Sequence, residues 1–305
     1  MKYIKNKNKI KICDLGEFSI SQILDCGQIF RYYINGNEAI VVSKNHFALI
    51  CMHENWAGII TKDVDYFENF FDLKKDYAAI KNQLKQDDFL RPCCEFGYGI
   101  RLLKQDLFEM IVSFIISANN NIKRIKNSLN YLAKQFGDKV ELDLKVDLNK
   151  FLIDEENKVG LLEKQNNKFY YCAFPTLEQL KHATIQDFVS AGLGYRAEQM
   201  YRTIQFLTEE QIDCFKYLSV KEQLEFLVSL SGVGAKVANC IMLFTGLNMK
   251  SFPVDTWINK VYNALTKTHE TDRKKIEQEL TNRYKELSGY AQQYFFYFYR
   301  ENKLN

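Results

Sequence analysis

The chain has 305 residues, of which 47% are hydrophobic and 26% charged, with a formal net charge of +3. That balance excludes a disordered chain and leaves bulk charge silent about any nucleic-acid partner. The longest apolar run, Ile111 to Ala118, is far short of the roughly 20 residues that cross a bilayer, and the basic start "MKYIKNKNKIKI" lacks the apolar segment of a secretory signal, so a cytoplasmic protein without membrane association is expected.

The stretch "RYYINGNEAIVVSKNHFALICMHE" alternates around an Asn35-Gly36 turn and a second turn at Ser43 to Asn45, the pattern of antiparallel hairpins. From Gln105 the period changes. "QDLFEMIVSFIISA" predicts a continuously apolar helix, and Ile122, Ile125, Leu129, Leu132 and Phe136 predict a second one that stops at Gly137. Asn119 to Asn121 form a polar break between them. The segment 138–168 is polar and reads as a loop-rich insertion. Capping boxes follow at Thr176 with Gln179 and at Ser219 with Glu222. The helix opened by Ser219 stops at Ser231-Gly232, and a new one starts at Gly234 or Ala235 and runs to Gly246, a C′ glycine.

The fold class is therefore α+β. An N-terminal antiparallel β-sheet domain (1–98) precedes two mainly helical domains (99–212 and 213–305), with residues 99–107 packing against the last. Eight cysteines are scattered, with Cys93 and Cys94 adjacent and no C-x-x-C pair, so reduced thiols and no metal are expected.

The helix-hairpin-helix "LSGVGAK" is where chemistry concentrates. Gly232, Val233 and Gly234 would expose backbone N–H groups at a helix N-terminus, which suits a phosphate. The Walker spacing is missing, and Val237 stands where a dinucleotide fingerprint needs its third glycine. A plain connector between helices fits the same residues. Lys236 sits in the first helical turn, where a cation opposes the macrodipole by about 0.3–1 kcal/mol. Burial and the helix terminus both favour its neutral amine, and a neutral amine is a nucleophile. Asp255, in "PVDTW", fits an N-cap, and that role is compatible with a catalytic carboxylate. Cys240 lies four residues after Lys236, on the same face.

At these residues the chain resembles the helix-hairpin-helix-GPD superfamily of DNA base-excision glycosylases, and within it the 8-oxoguanine DNA glycosylases of the type first known from eukaryotes. The resemblance rests on "LSGVGAKVANCI", "FPVDTW", "GQIFRY", "GIRLLKQDLFEMIVSFIISANNNIKRI", "GLGYRAEQ" and "YAQQYFF", all in the family's order. It implies a bifunctional glycosylase and lyase acting on duplex DNA that holds 8-oxoguanine opposite cytosine, as a monomer and without a cofactor. Lys236 is implied as nucleophile and Asp255 as its acidic partner. Gly27 would offer its carbonyl to the N7 hydrogen of the oxidised base, Gln292 would read the Watson-Crick edge, and Phe296 and Cys240 would sandwich the ring. Asn119 would fill the gap left in the duplex, Tyr195 would act as wedge, and Arg124 and Arg196 would read the orphaned cytosine. Trp257 departs from the family's usual phosphate-binding histidine, and Ile29 from a common serine. A glycosylase for another oxidised or alkylated base, or a non-catalytic DNA clamp, stays open at this point.

Overall fold

A computed structural model describes residues 1–144, 146–152 and 160–302. The N-terminal part builds one antiparallel sheet from β1 (Tyr3–Asn6), β2 (Lys9–Ile12), β3 (Tyr32–Asn35), β4 (Glu38–Ser43), β5 (His46–Met52) and β6 (Ala57–Ile60), in the order β1-β2-β6-β5-β4-β3. Both expected turns are there, between β3 and β4 and between β4 and β5. β4 and β5 are apolar at almost every position because both faces are covered. Ala39, Val41, Ala48 and Ile50 face one core with α1 (Ile20–Asp25) and α2 (Val64–Phe70), while Ile40, Val42, Phe47 and Leu49 face another. α3 (Tyr77–Leu84) and α4 (Arg91–Phe96) complete this half.

The second core corrects one expectation. The segment read as irregular contains β7 (Lys139–Leu142), β8 (Leu162–Gln165) and β9 (Lys168–Cys172), a sheet of order β7-β9-β8. Leu148, Phe151, Leu162 and Tyr171 close it onto β4 and β5. The strands are four or five residues long, and their outer faces carry ion pairs such as Lys139 with Glu163 at 2.8 Å and Lys168 with Glu141 at 2.9 Å. Their polarity is that of a surface sheet, which single-sequence periodicity over so few residues does not separate from a loop.

The helical half follows the sequence more closely. α5 (Leu107–Ser117) is buried from Phe108 to Ile116, as its unbroken apolar run requires. Around it lie α6 (Ile122–Phe136), α7 (Leu177–Lys181), α8 (Ile185–Ser190), α9 (Arg196–Phe206), α10 (Glu209–Cys214), α11 (Val220–Ser229), α12 (Ala235–Phe244), α13 (Thr256–Thr266), α14 (Arg273–Tyr284) and α15 (Ser288–Glu301). α12 packs on α5, and α15 returns to α4. The fully buried Arg101 anchors the segment between α4 and α5 to the N-terminal half: its guanidinium donates to the carbonyls of Phe71, Asp72, Lys75 and Glu17 and lies 4.0 Å from the Tyr77 ring centroid.

Candidate active site

The hairpin joins α11 to α12 through Gly232, whose φ of +86° only glycine adopts without strain. Gly234 has an extended φ of −92° and open space where a side chain would stand, so it leaves the N-terminus of α12 approachable. Val233 does not share that role. Its amide donates to the Leu230 carbonyl at 3.1 Å and its side chain is buried, so the outward-facing amides of the hairpin are those of the glycines.

One turn into α12, Lys236 and Cys240 open onto a cavity of about 60 Å³ that also has Gly27, Asp255, Gln292 and Phe296 in its wall. All six residues singled out in sequence for base binding and chemistry thus meet in one place. They come from a turn after α1, from α12, from the start of α13 and from α15. Asp255 is the N-cap of α13, its carboxylate accepting from the Ile258 amide at 2.8 Å, so capping aims the group as well as stabilising the helix. Cys26, Phe114, Phe244, Pro253 and Gln293 line the cavity too. None of these was given a role from the sequence, although Phe114, Pro253 and Gln293 lie inside the motifs that carry the family resemblance.

The charge of Lys236 differs from expectation. Cys240 raises its pKa, burial lowers it and Asp255 raises it, and the balance stands above the ordinary lysine value. Burial also pushes the Cys240 thiol up, against the pull of Lys236. The Cys240 contribution acts only when the thiol has lost its proton, so with a neutral thiol Asp255 is the partner that favours the ammonium against burial. Burial and the helix terminus do not suffice to leave a resting neutral amine, because partners brought in by the fold outweigh them.

A second group gathers at the far end of α5. Asn119 is exposed with φ +49°, and an open groove is lined by Asn119, Arg124, Tyr195 and Arg196. Tyr195 is 66% exposed at the N-terminus of α9, with the Arg196 guanidinium 4.3 Å from its ring centroid. Arg124 is exposed, whereas Arg196 is buried and donates to the carbonyls of Ala118 and Asn119. In this structure Arg196 braces the Asn119 turn, and only Arg124 projects freely. The two departures from the family pattern are both inward. Trp257 is half-buried with its indole N–H unpartnered, and Ile29 belongs to the core under the sheet.

Residues 11–111 match the 8-oxoguanine DNA glycosylase N-terminal domain, and residues 112–286 match the HhH-GPD superfamily of base excision DNA repair proteins. The chain belongs to that superfamily. A crystal structure of the Clostridium acetobutylicum 8-oxoguanine glycosylase/lyase, in complex with duplex DNA containing cytosine opposite 8-oxoguanine, is 32% identical, with TM-score 0.85, over 100% of this chain and 99% of that one. A probable N-glycosylase/DNA lyase of Methanothermobacter thermautotrophicus is 29% identical over 75% of this chain and 72% of its own length. The N-glycosylase/DNA lyase of Saccharomyces cerevisiae is 32% identical over 53% of this chain, which spans only 41% of that protein. Within the superfamily the chain is an 8-oxoguanine DNA glycosylase, and by class a DNA N-glycosylase with AP lyase activity.

Proposed function

We propose that this protein extrudes 8-oxoguanine from its pairing with cytosine in duplex DNA, excises it through Lys236, and cuts the strand on the 3′ side by β-elimination. The supporting observation is the convergence of Lys236, Asp255, Cys240, Gly27, Gln292 and Phe296 on one cavity. The reaction demands that set. C1′ is unreachable inside stacked DNA, so the nucleotide must leave the helix, and the gap must be held at a cost of a few kcal/mol. Asn119 and Tyr195 are the gap filler and wedge in this reading, and Arg124 reads the orphaned cytosine from the groove.

In the pocket, Lys236 first loses a proton and its Nζ then bonds to C1′ while the bond from C1′ to the base breaks. The bonding pair leaves with the base, which takes up a proton. Asp255 stabilises positive charge that develops on the sugar. Ring opening gives an imine to Lys236, and loss of the 2′ proton expels the 3′ phosphate. The glycine amides of the hairpin hold a backbone phosphate without reading sequence.

Borohydride reduction on an 8-oxoguanine:cytosine duplex tests this directly. The wild-type protein is expected to become covalently trapped. Lys236→Gln is expected to bind the duplex with no trapping and no strand cleavage. Trapping that persists in the variant eliminates Lys236 as nucleophile.

A further inference from the structure

The turn that presents Gly27 is held in an unusual way. Gly27 has φ +85°, and glycine there leaves the peptide units on either side free to rotate. Side chains from distant elements take the carbonyls around it. Arg300 donates to the Asp25 carbonyl, Gln293 Nε2 to the Cys26 carbonyl at 2.8 Å, and Gln105 Nε2 to the Gln28 carbonyl at 2.7 Å. The Gly27 carbonyl itself has no hydrogen-bond partner among the described residues. Its peptide unit lies between the one fixed by Gln293 and the one fixed by Gln105. Peptide units are rigid planes, so fixing both neighbours pins the Cα atoms of Gly27 and Gln28, the two ends of the axis on which the middle unit is mounted, and thereby sets where the Gly27 carbonyl stands.

Gln293 is the member of this set that also lines the base cavity. It reaches the turn across 267 positions of sequence, is 1% exposed, and its Oε1 has no partner. A buried amide left half-satisfied is costly, and its one hydrogen bond goes to the residue before Gly27.

We propose that Gln293 is a positioning residue that holds the Cys26–Gly27 peptide so that the Gly27 carbonyl is aimed at the N7 hydrogen of the damaged base. It thereby sets the preference for oxidised over ordinary guanine. The inference rests on the 8-oxoguanine reading above and assigns a residue that reading leaves idle.

The test compares two reactions of one protein: excision from an 8-oxoguanine:cytosine duplex and β-elimination at an abasic site in the same duplex, each under single-turnover conditions. The second needs Lys236 and no base. Gln293→Leu keeps the bulk and loses the donor, and the ratio of excision to β-elimination is expected to fall by roughly three- to tenfold, as loss of one neutral hydrogen bond implies. Gln293→Glu donates to Cys26 only while protonated, so its ratio is expected to recover as pH falls. An equal loss in both reactions, or an unchanged ratio in Gln293→Leu, overturns the proposal. A wild-type protein that cleaves the abasic site but leaves 8-oxoguanine in place overturns the parent reading instead.

Discussion

Glu109 lies in the first turn of α5 and is 4% exposed. Its Oε2 accepts from the Ser43 hydroxyl at 3.2 Å and from the Lys44 amide at 2.7 Å, so one carboxyl group fastens the turn between β4 and β5 to α5. Burial pushes its pKa up to about 7, although Arg31 and these hydrogen bonds pull the other way. A carboxyl group whose pKa rises on folding stabilises the fold fully below its unfolded pKa, and that stability is lost as pH climbs through the folded value. The window therefore runs from about 4.5 to about 7. At about 1.4 kcal/mol per pH unit, moving from pH 5 to pH 8 costs the wild-type protein about 2–3 kcal/mol through this group alone. Glu109→Gln keeps an acceptor and cannot ionise. Its Tm relative to wild type is expected to rise by about 5 °C between pH 5 and pH 8, at ~2 °C per kcal/mol. Paired thermal melts at pH 5, 6, 7 and 8 measure this, and because every other titrating group is common to both proteins, a flat difference across the series refutes the reasoning.

Two predictions concern the reaction. Because the Lys236 pKa stands above its ordinary value, the single-turnover excision rate is expected to rise with pH through the neutral range, up to about tenfold per unit, and a rate that falls between pH 6 and pH 8 counts against a resting ammonium. Arg124→Ala should leave folding stability within about half a kcal/mol of wild type, since the side chain is exposed, while the preference for cytosine over adenine opposite the lesion drops about tenfold or more; equal preference before and after removes Arg124 from cytosine reading.

Much of this architecture was legible before any coordinates. Asn35-Gly36 marked a hairpin because that dipeptide suits tight turns, and the boundaries of α12 followed from Gly234 at one end and Gly246, with φ +74°, at the other. What escaped was set by contacts between distant segments. β8 and β9 have little periodic signal of their own and exist because Leu162 and Tyr171 find a second apolar face on β4 and β5. Gln292 and Gln293 are adjacent and chemically identical, and only the rotation of α15 decides that Gln293 meets Cys26. Arg196 looked available for cytosine, but the Asn119 turn offers its carbonyls at hydrogen-bond distance and takes the guanidinium inward.

In the proposed reaction Lys236 has to lose a proton before its Nζ attacks. Lys236 shares its cavity with Cys240 and Asp255, and a protonated amine cannot attack C1′. The cavity of about 60 Å³ is small beside a purine, so in the proposed reaction an extruded base has to widen it by moving the half-buried Phe296. A base in the cavity shields the amine from solvent, and that disfavours its charged form. Occupancy of the base site and loss of the lysine proton are therefore coupled through solvation. On this reading an undamaged duplex, whose bases stay stacked, leaves the amine in its resting charge state. On the proposed reading, selectivity for damage has two layers: a hydrogen bond at the Gly27 carbonyl, and desolvation of Lys236 when a base enters the cavity.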